Sequence, residues 1–377
     1  MREPVRIAVA GLGRMGSIHA LHVHELARET GNCTLAALCT DAPEKAERLA
    51  AEMGCTVPIF RSVEALADAG VSDATVIATP TPCHREHSTT LVERGQRVLL
   101  EKPMTEVFET DLEFSTQLDS THPHALMLAF QRRFDPPLAY ARELVSRGAI
   151  GRIFKVYSAM EDSSPAPDGF KSGGILADMS IHNVDEVLWL TGKMPRAALM
   201  IGSRIYSHRL TTCEEDFDDA LLYLWFEEEL VAEIQVGRNH VAGYRTETVI
   251  YGEEGEIQVD RFHQQPLEVI VQAYGRRGRT EPPAYRSFSM RDYGQPVPEF
   301  VERFGWAYKA ELAAFISCCQ SNQPFPVSQR DGVRAQQVIR AGMQSVVRPG
   351  AIIGPRDNSV SRHKSVDYRT PWGSTGR

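Results

Sequence analysis

Apolar residues dominate Val5–Ala10, a run too short for a helix and lacking the strict alternation of a half-exposed strand, which predicts a strand buried on both faces. Residues 15–30 then carry Ile18, Leu21 and Leu26 on a helical pattern. Residues 34–39 return to a strand pattern, and 42–53, rich in Ala, Glu, Lys and Arg, predict a second helix. Short apolar runs at 74–78 and 98–100 enclose a helical stretch at 86–94, and 125–130 adds a further strand. This β-α-β rhythm predicts a parallel sheet with right-handed crossovers, a Rossmann-type doubly wound α/β domain over residues 1–127.

The rhythm changes near residue 150. Strand patterns follow at 152–159, 197–206, 220–226, 231–238, 245–251, 256–259 and 268–273, with hairpin-like connections such as Glu227-Glu228-Glu229 and Glu253-Glu254-Gly255. Helices are expected at 178–191, 301–320 and 329–347. The pattern predicts a second, α+β domain over 128–354 with a large, mostly antiparallel open sheet and helices on one face. Leu221, Tyr223, Trp225, Val231, Glu233 and Gln235 alternate through two adjoining strands, which predicts an association face and a homo-oligomer. Residues 355–377 have no periodicity and a local charge of +3, and read either as a frayed end or as a segment held by a neighbouring subunit.

A length of 377 residues suits two domains, and 42% hydrophobic with 24% charged residues describes a soluble protein with ample core. The net charge of -8 argues against nucleic acid or an anionic membrane surface as partner. No apolar run approaches the roughly 20 residues of a membrane span, and the chain enters its first strand too early for a secretory signal. Seven cysteines (Cys33, Cys39, Cys55, Cys83, Cys213, Cys318, Cys319) make an odd number without metal-ligand spacing, which predicts a reducing cytoplasm and no structural zinc.

Candidate chemistry begins at Gly11-Leu12-Gly13-Arg14-Met15-Gly16, where the first strand turns into the first helix. The first glycine permits the turn, the second lets backbone approach a pyrophosphate, and the third lets helix pack on strand. Asp41, after the second strand, suits the adenosine ribose hydroxyls and favours NAD over NADP, or it caps the helix that follows. Thr79-Pro80-Thr81-Pro82 forms a rigid loop at a strand's carboxyl end, either as a cofactor contact or through turn chemistry alone. Glu101-Lys102-Pro103 ends a strand at the same edge, where an ammonium could neutralise a developing alkoxide. Asp178, His182 and Asp185, after Gly173-Gly174, fall at i, i+4 and i+7 on one helical face. Two carboxylates around an imidazole make a general base, or a helix whose polar groups satisfy one another; a metal reading lacks a second histidine.

These motifs, over roughly residues 5 to 347, resemble the glucose–fructose oxidoreductase / inositol dehydrogenase (Gfo/Idh/MocA) family, and within it the inositol 2-dehydrogenases. Phe130-Gln131-Arg132-Arg133-Phe134-Asp135 is similar to that group's Arg-Arg-Tyr-Asp stretch, and Arg303-Phe304-Gly305-Trp306-Ala307-Tyr308-Lys309-Ala310-Glu311 to its Arg-Phe-x-x-Ala-Tyr-x-x-Glu helix. The resemblance implies Lys102, Asp178 and His182 as the catalytic set, with His182 as base, and hydride transfer from a ring carbinol to NAD. It implies a cofactor-binding set of Gly11, Gly13, Arg14, Met15, Gly16, Asp41, Thr79, Pro80, His84, Glu101 and Lys102. Arg132, Asp162 and Tyr244 join Lys102, Asp178 and His182 around the substrate, no metal is implied, and family members are often tetramers. Glu161, where many relatives carry arginine, Asn183, where many carry aspartate, and the long tail depart from the pattern and bear on which cyclitol or sugar is used. An aldose or rare-sugar dehydrogenase and a keto-sugar reductase share every residue named here. A non-catalytic dinucleotide-sensing regulator would lack the lysine or histidine.

Overall fold

The computed structural model describes residues 3–163, 174–204, 217–238, 240–260, 268–275, 284–294 and 297–347. Its first sheet contains β1 (Val5–Ala10), β2 (Cys33–Cys39), β3 (Ile59–Phe60), β4 (Ala74–Ile77), β5 (Arg97–Leu100) and β6 (Leu126–Leu128). All neighbours are parallel, in the spatial order β3-β2-β1-β4-β5-β6. The crossovers carry α1 (Arg14–Thr30), α2 (Pro43–Glu52), α3 (Val63–Ala69), α4 (His84–Val92) and α5 (Phe108–Thr121). Helices on both faces explain why Ile7 to Ala10 and Val98 to Leu100 are completely buried apolar runs. The strand order reverses between β1 and β4, and ligands of such sheets bind at that switch point, outside the carboxyl ends of the strands.

The second sheet contains β7 (Ile153–Asp162), β8 (Ala197–Ser203), β9 (Asp219–Trp225), β10 (Val231–Arg238), β11 (Arg245–Gly252), β12 (Gly255–Val259), β13 (Glu268–Gly275) and β14 (Ala284–Ser289). Its order is β14-β13-β12-β11-β7-β10-β9-β8, antiparallel throughout except where β7 runs parallel to β10. The expected β9–β10 hairpin forms with Glu228 and Glu229 both at φ 60° in its turn, a conformation in which glycine is more usual. Alternation divides the faces. Ala220, Leu222, Leu224, Ala232, Ile234 and Val236 are buried, whereas Leu221, Tyr223, Trp225, Val231, Glu233 and Gln235 are only half-covered on the other side.

Helices α6 (Pro136–Ser146), α7 (Ile181–Thr191) and α9 (Gln329–Val347) contact the second sheet, while α8 (Glu299–Ser321) packs along α1 of the first unit. Lys309 of α8 holds Glu29 of α1 at 2.6 Å and Glu25 at 3.1 Å. Two motifs widely separated in sequence meet in this region: buried Arg303 donates to both oxygens of Asp135 at 2.9 and 3.0 Å.

The structure departs from expectation at several points. The strand expected at 152–159 continues to Asp162, and α7 is preceded by a wider i→i+5 turn over Leu176–Ser180. Helices α3, α5 and α6 and strands β3 and β14 were not anticipated. Gly173, Cys213 and the 355–377 tail lie outside the described residues. No helix among the described residues is long and apolar enough to cross a membrane.

One buried carboxylate anchors α7 to the sheet. Glu186 accepts from Arg132 Nη1 at 2.8 Å, Ser158 Oγ at 2.9 Å and Thr248 Oγ1 at 2.6 Å. Glu186→Ala would strand the Arg132 guanidinium in the interior, and breaking a buried pair from one side costs about 3–5 kcal/mol. Urea unfolding should show a loss of that size; a loss under about 1 kcal/mol would contradict the anchoring role.

Candidate active site

The glycine turn at the switch point is built by steric necessity. Gly11 has φ +87°, and a Cβ there would lie 2.5 Å from the Ala78 carbonyl; at Gly16 it would lie 1.6 Å from the Gly11 oxygen. At Gly13 a Cβ meets nothing within 4 Å. The two outer glycines therefore serve close packing, whereas the middle one borders open space. That space faces the start of α1, which has no side-chain cap and no acidic residue in its first turn. Uncapped N–H groups at a positive helix end suit a pyrophosphate. Arg14 lies over the Phe300 ring at 4.7 Å, reaching from the turn to α8, and Met15 packs against the Phe304–Tyr308 cluster.

Of the two readings of Asp41, the helix cap is not seen. The residue before α2 is Ala42, with no side-chain cap, and the turn's own hydrogen bond comes from Ala42 N–H to Thr40 Oγ1 at 3.2 Å. Asp41 is exposed just beyond β2, a position that leaves its carboxylate available to ribose hydroxyls. Thr79 follows β4 and its hydroxyl meets His87 Nδ1 at 3.0 Å, while Pro80 is exposed.

Lys102 follows β5 at the same edge. Its ammonium reaches into the second unit, donating to the Asp178 carbonyl at 2.9 Å and standing 3.6 Å from Asp178 Oδ1. On the other side of Asp178, Arg238 Nη2 lies 3.6 Å from Oδ2. Asp162, at the end of β7, is Arg238's ladder partner. Burial pushes the Asp162 carboxyl up to about 6, helped by the charge of Asp178 and opposed by Arg238 and Arg14. Tyr244 is close to Asp162, and burial raises its phenol. His182 is buried, edge-on to Phe130 at 6.5 Å. Burial, with the charges of Lys102 and Arg132, holds its imidazole well below the usual value, so the ring is neutral and able to accept a proton.

Several expected site residues have partners within the protein. Asp185 does not orient His182: Arg133 takes its carboxylate at 2.6 and 2.9 Å, and no described group bonds to the buried His182 Nδ1. The wider turn at Leu176–Ser180 places Asp178 toward Lys102, so the expected helical face is divided between two partners. Arg132, expected at the substrate, is buried and committed to Glu186. Glu101, expected at the cofactor, has one oxygen 2.7 Å from His19 Nε2, and the other accepts from the Lys102 backbone N–H at 3.2 Å. Burial pushes that carboxyl up, but the His19 hydrogen bond and nearby charges outweigh it and hold it below the usual value. His84, also expected at the cofactor, has both ring nitrogens against backbone carbonyls. Glu161 lies on the sheet face opposite Asp162, accepting from Arg245 at 2.7 Å and Gln235 at 3.0 Å. Asn183 is fully buried and donates to Ser158. The side-chain bonds of both residues thus run to groups other than Lys102 and Asp178.

Arg238 was not anticipated. Its signal was present, since Ala232, Ile234 and Val236 face inward and Arg238 continues that parity. A charge on the buried parity of a strand needs a partner, and Asp178 supplies one.

A dinucleotide cradle facing a lysine, an acid and a neutral imidazole defines a nicotinamide-dependent oxidoreductase. Comparison with known proteins agrees: the oxidoreductase family's NAD-binding Rossmann fold matches residues 5–122, and that family's C-terminal alpha/beta domain matches residues 142–348. The chain belongs to this Gfo/Idh/MocA oxidoreductase family. It is 29% identical over 352 residues to the scyllo-inositol 2-dehydrogenase (NAD(+)) of Bacillus subtilis (strain 168), covering 91% of this chain and 96% of that one. The inositol 2-dehydrogenase of Rhizobium meliloti (strain 1021) is 28% identical over 346 residues, 91% and 97% of the two chains. Among solved structures, a myo-inositol dehydrogenase of Corynebacterium glutamicum ATCC 13032 superposes with TM-score 0.78 at 26% identity, over 93% of this chain and 98% of that chain. The apo scyllo-inositol dehydrogenase of Lactobacillus casei gives 0.77 at 25%, over 94% and 99%.

The geometry separates cofactor space from packing space. Gly13→Ala should fold with stability within about 1 kcal/mol of the parent yet bind NAD about tenfold more weakly, whereas Gly16→Ala should lose about 3 kcal/mol or more. Calorimetric titration and thermal melting check both; equal stability losses would contradict the division. A second outcome concerns pH. The folded state holds the Asp162 proton more tightly than the unfolded chain, about 6 against 3.8. Ionisation therefore removes stability as pH rises from about 4 to about 6. Asp162→Asn should raise Tm by a few degrees at pH 7 and by little at pH 4, and an identical shift at both would contradict the assignment.

Proposed function

We propose that the protein oxidises a ring hydroxyl of a cyclitol of the myo- or scyllo-inositol type to the ketone, with NAD as hydride acceptor. The observation that carries this reading is the Lys102 ammonium, held across the crevice on Asp178 with a neutral His182 alongside. The groups that influence one another here are Lys102, Arg14 and Arg238 against Asp162, Asp178 and Glu299, three cations facing three carboxylates. A site so balanced favours an uncharged, hydroxyl-rich ligand over an acid or a phosphate ester.

The Gly11–Gly16 turn would hold the pyrophosphate, Asp41 the ribose, and the Thr79-Pro80 loop the nicotinamide side; bound NAD supplies the site that accepts hydride. The protein's part is to move a proton and steady a charge. Lys102 hydrogen-bonds the hydroxyl oxygen to be oxidised, His182 takes its proton, and the ammonium neutralises alkoxide character as the carbonyl forms. Asp178 holds the lysine in place, and Asp162 and Tyr244 accept and donate to neighbouring ring hydroxyls. Residues 1–127 are read as the NAD-binding part and 128–354 as the part that binds substrate and associates. The half-covered sheet face of Leu221, Tyr223 and Trp225 supports a homo-oligomer, read as a tetramer after the family habit, acting in the cytoplasm.

The test is NADH absorbance with purified protein across inositols and aldoses. Inositols should be turned over in preference; exclusive activity on aldoses would replace the cyclitol reading with the sugar-dehydrogenase one. Lys102→Met should bind NAD normally while losing at least about a hundredfold in kcat, the scale of one acid–base or electrostatic contribution. Turnover near the parent's would remove Lys102 from the mechanism.

A further inference from the structure

His84 is the first residue of α4, and its ring is almost wholly buried between two loops that follow neighbouring strands of the first sheet. One loop, after β4, begins at Thr79; the other, after β5, carries Lys102 and Pro103. The ring spans them, with Nε2 2.8 Å from the Thr79 carbonyl oxygen and Nδ1 2.9 Å from that of Pro103. We propose that His84 is a positioning residue, a cross-link that fixes Lys102 relative to the cofactor loop without touching cofactor or substrate. The inference rests on the dehydrogenase reading above and extends it.

The chemistry of the ring sets how the link works. Both carbonyls can only accept, so each bond needs an N–H, yet a neutral imidazole has one. The neutral ring serves one carbonyl at a time, and the imidazolium serves both. Burial disfavours the second proton, while the two carbonyls and the Glu101 carboxylate favour it and His87 opposes it. Burial prevails, so the ring is predominantly neutral above pH 7 and carries a single donor. Loss of the ring removes the one donor that the two part-buried carbonyls share, so the Thr79 and Lys102 loops should shift independently. Cofactor affinity and turnover would then fall together, although no contact to either ligand is removed.

The experiment compares His84→Phe, which keeps shape and loses every donor, with His84→Gln, whose amide restores one. At pH 8, NAD affinity is measured by calorimetric titration and kcat with saturating polyol and NAD. His84→Phe should weaken NAD binding about tenfold and lower kcat about tenfold, the scale of one lost hydrogen bond, and His84→Gln should recover both to within about threefold of the parent. Parental values for His84→Phe would overturn the proposal, as would a glutamine variant no better than phenylalanine, since filling the space would then be the whole role. Should His84→Phe fail to fold, His84→Asn replaces it, because the shorter amide does not span the gap; its recovery to parental values would also overturn the proposal. NAD that failed to bind the parent protein would instead count against the dehydrogenase reading.

Discussion

A single ammonium joins the two halves of this protein at the point where chemistry is proposed. Lys102 follows strand β5 of the first sheet, yet its partners, the carbonyl and carboxylate of Asp178, belong to the helical segment that covers the second. Each half supplies one side of that contact and fixes it from behind. On the first side, the Glu101 carboxylate is taken by His19 of α1 and the Lys102 backbone N–H. On the second, the segment carrying Asp178 and His182 is tied down through Glu186, which gathers Arg132, Ser158 and Thr248. A catalytic geometry shared between two units requires both to be rigid, and buried charged pairs provide direction that apolar packing lacks.

The pair also shows why the site is balanced rather than strongly charged. Asp178 stands between Lys102 and Arg238, and with Asp162 it offsets both cations in the crevice proposed to admit a neutral ring and a cationic nicotinamide. His182 remains unprotonated because burial and two cations oppose a further positive charge there. A neutral imidazole beside an ammonium is the arrangement that the proposed oxidation of an alcohol requires.

Much of this was legible in the sequence where one local rule decided the outcome. The first sheet follows from unbroken apolar runs, the cradle from three glycines, and the 231–238 strand and the 329–347 helix from periodicity alone. Legibility failed where a partner distant in sequence decides. Helix α5 was missed because Asp111 and Ser115 occupy its buried face beside Phe108, Phe114 and Leu118, diluting the apolar stripe. Asp185 resembled a partner for His182 by helical spacing, but Arg133, fifty-two residues away, claims it. Glu101, His84 and Arg132 lie in the motifs at the site, and the fold pairs each of them with groups of the protein itself. A motif marks a neighbourhood; only the fold divides it into groups that touch ligand and groups that hold those groups in place.

The central claim is that Lys102 and Asp178 act as one unit across the junction. A double-mutant cycle on kcat/KM for polyol oxidation, using the parent, Lys102→Met, Asp178→Asn and the double variant, measures that directly. Strong coupling is predicted, with the double variant no more than about tenfold below the weaker single variant. Losses that simply multiply would show two independent residues and contradict the account.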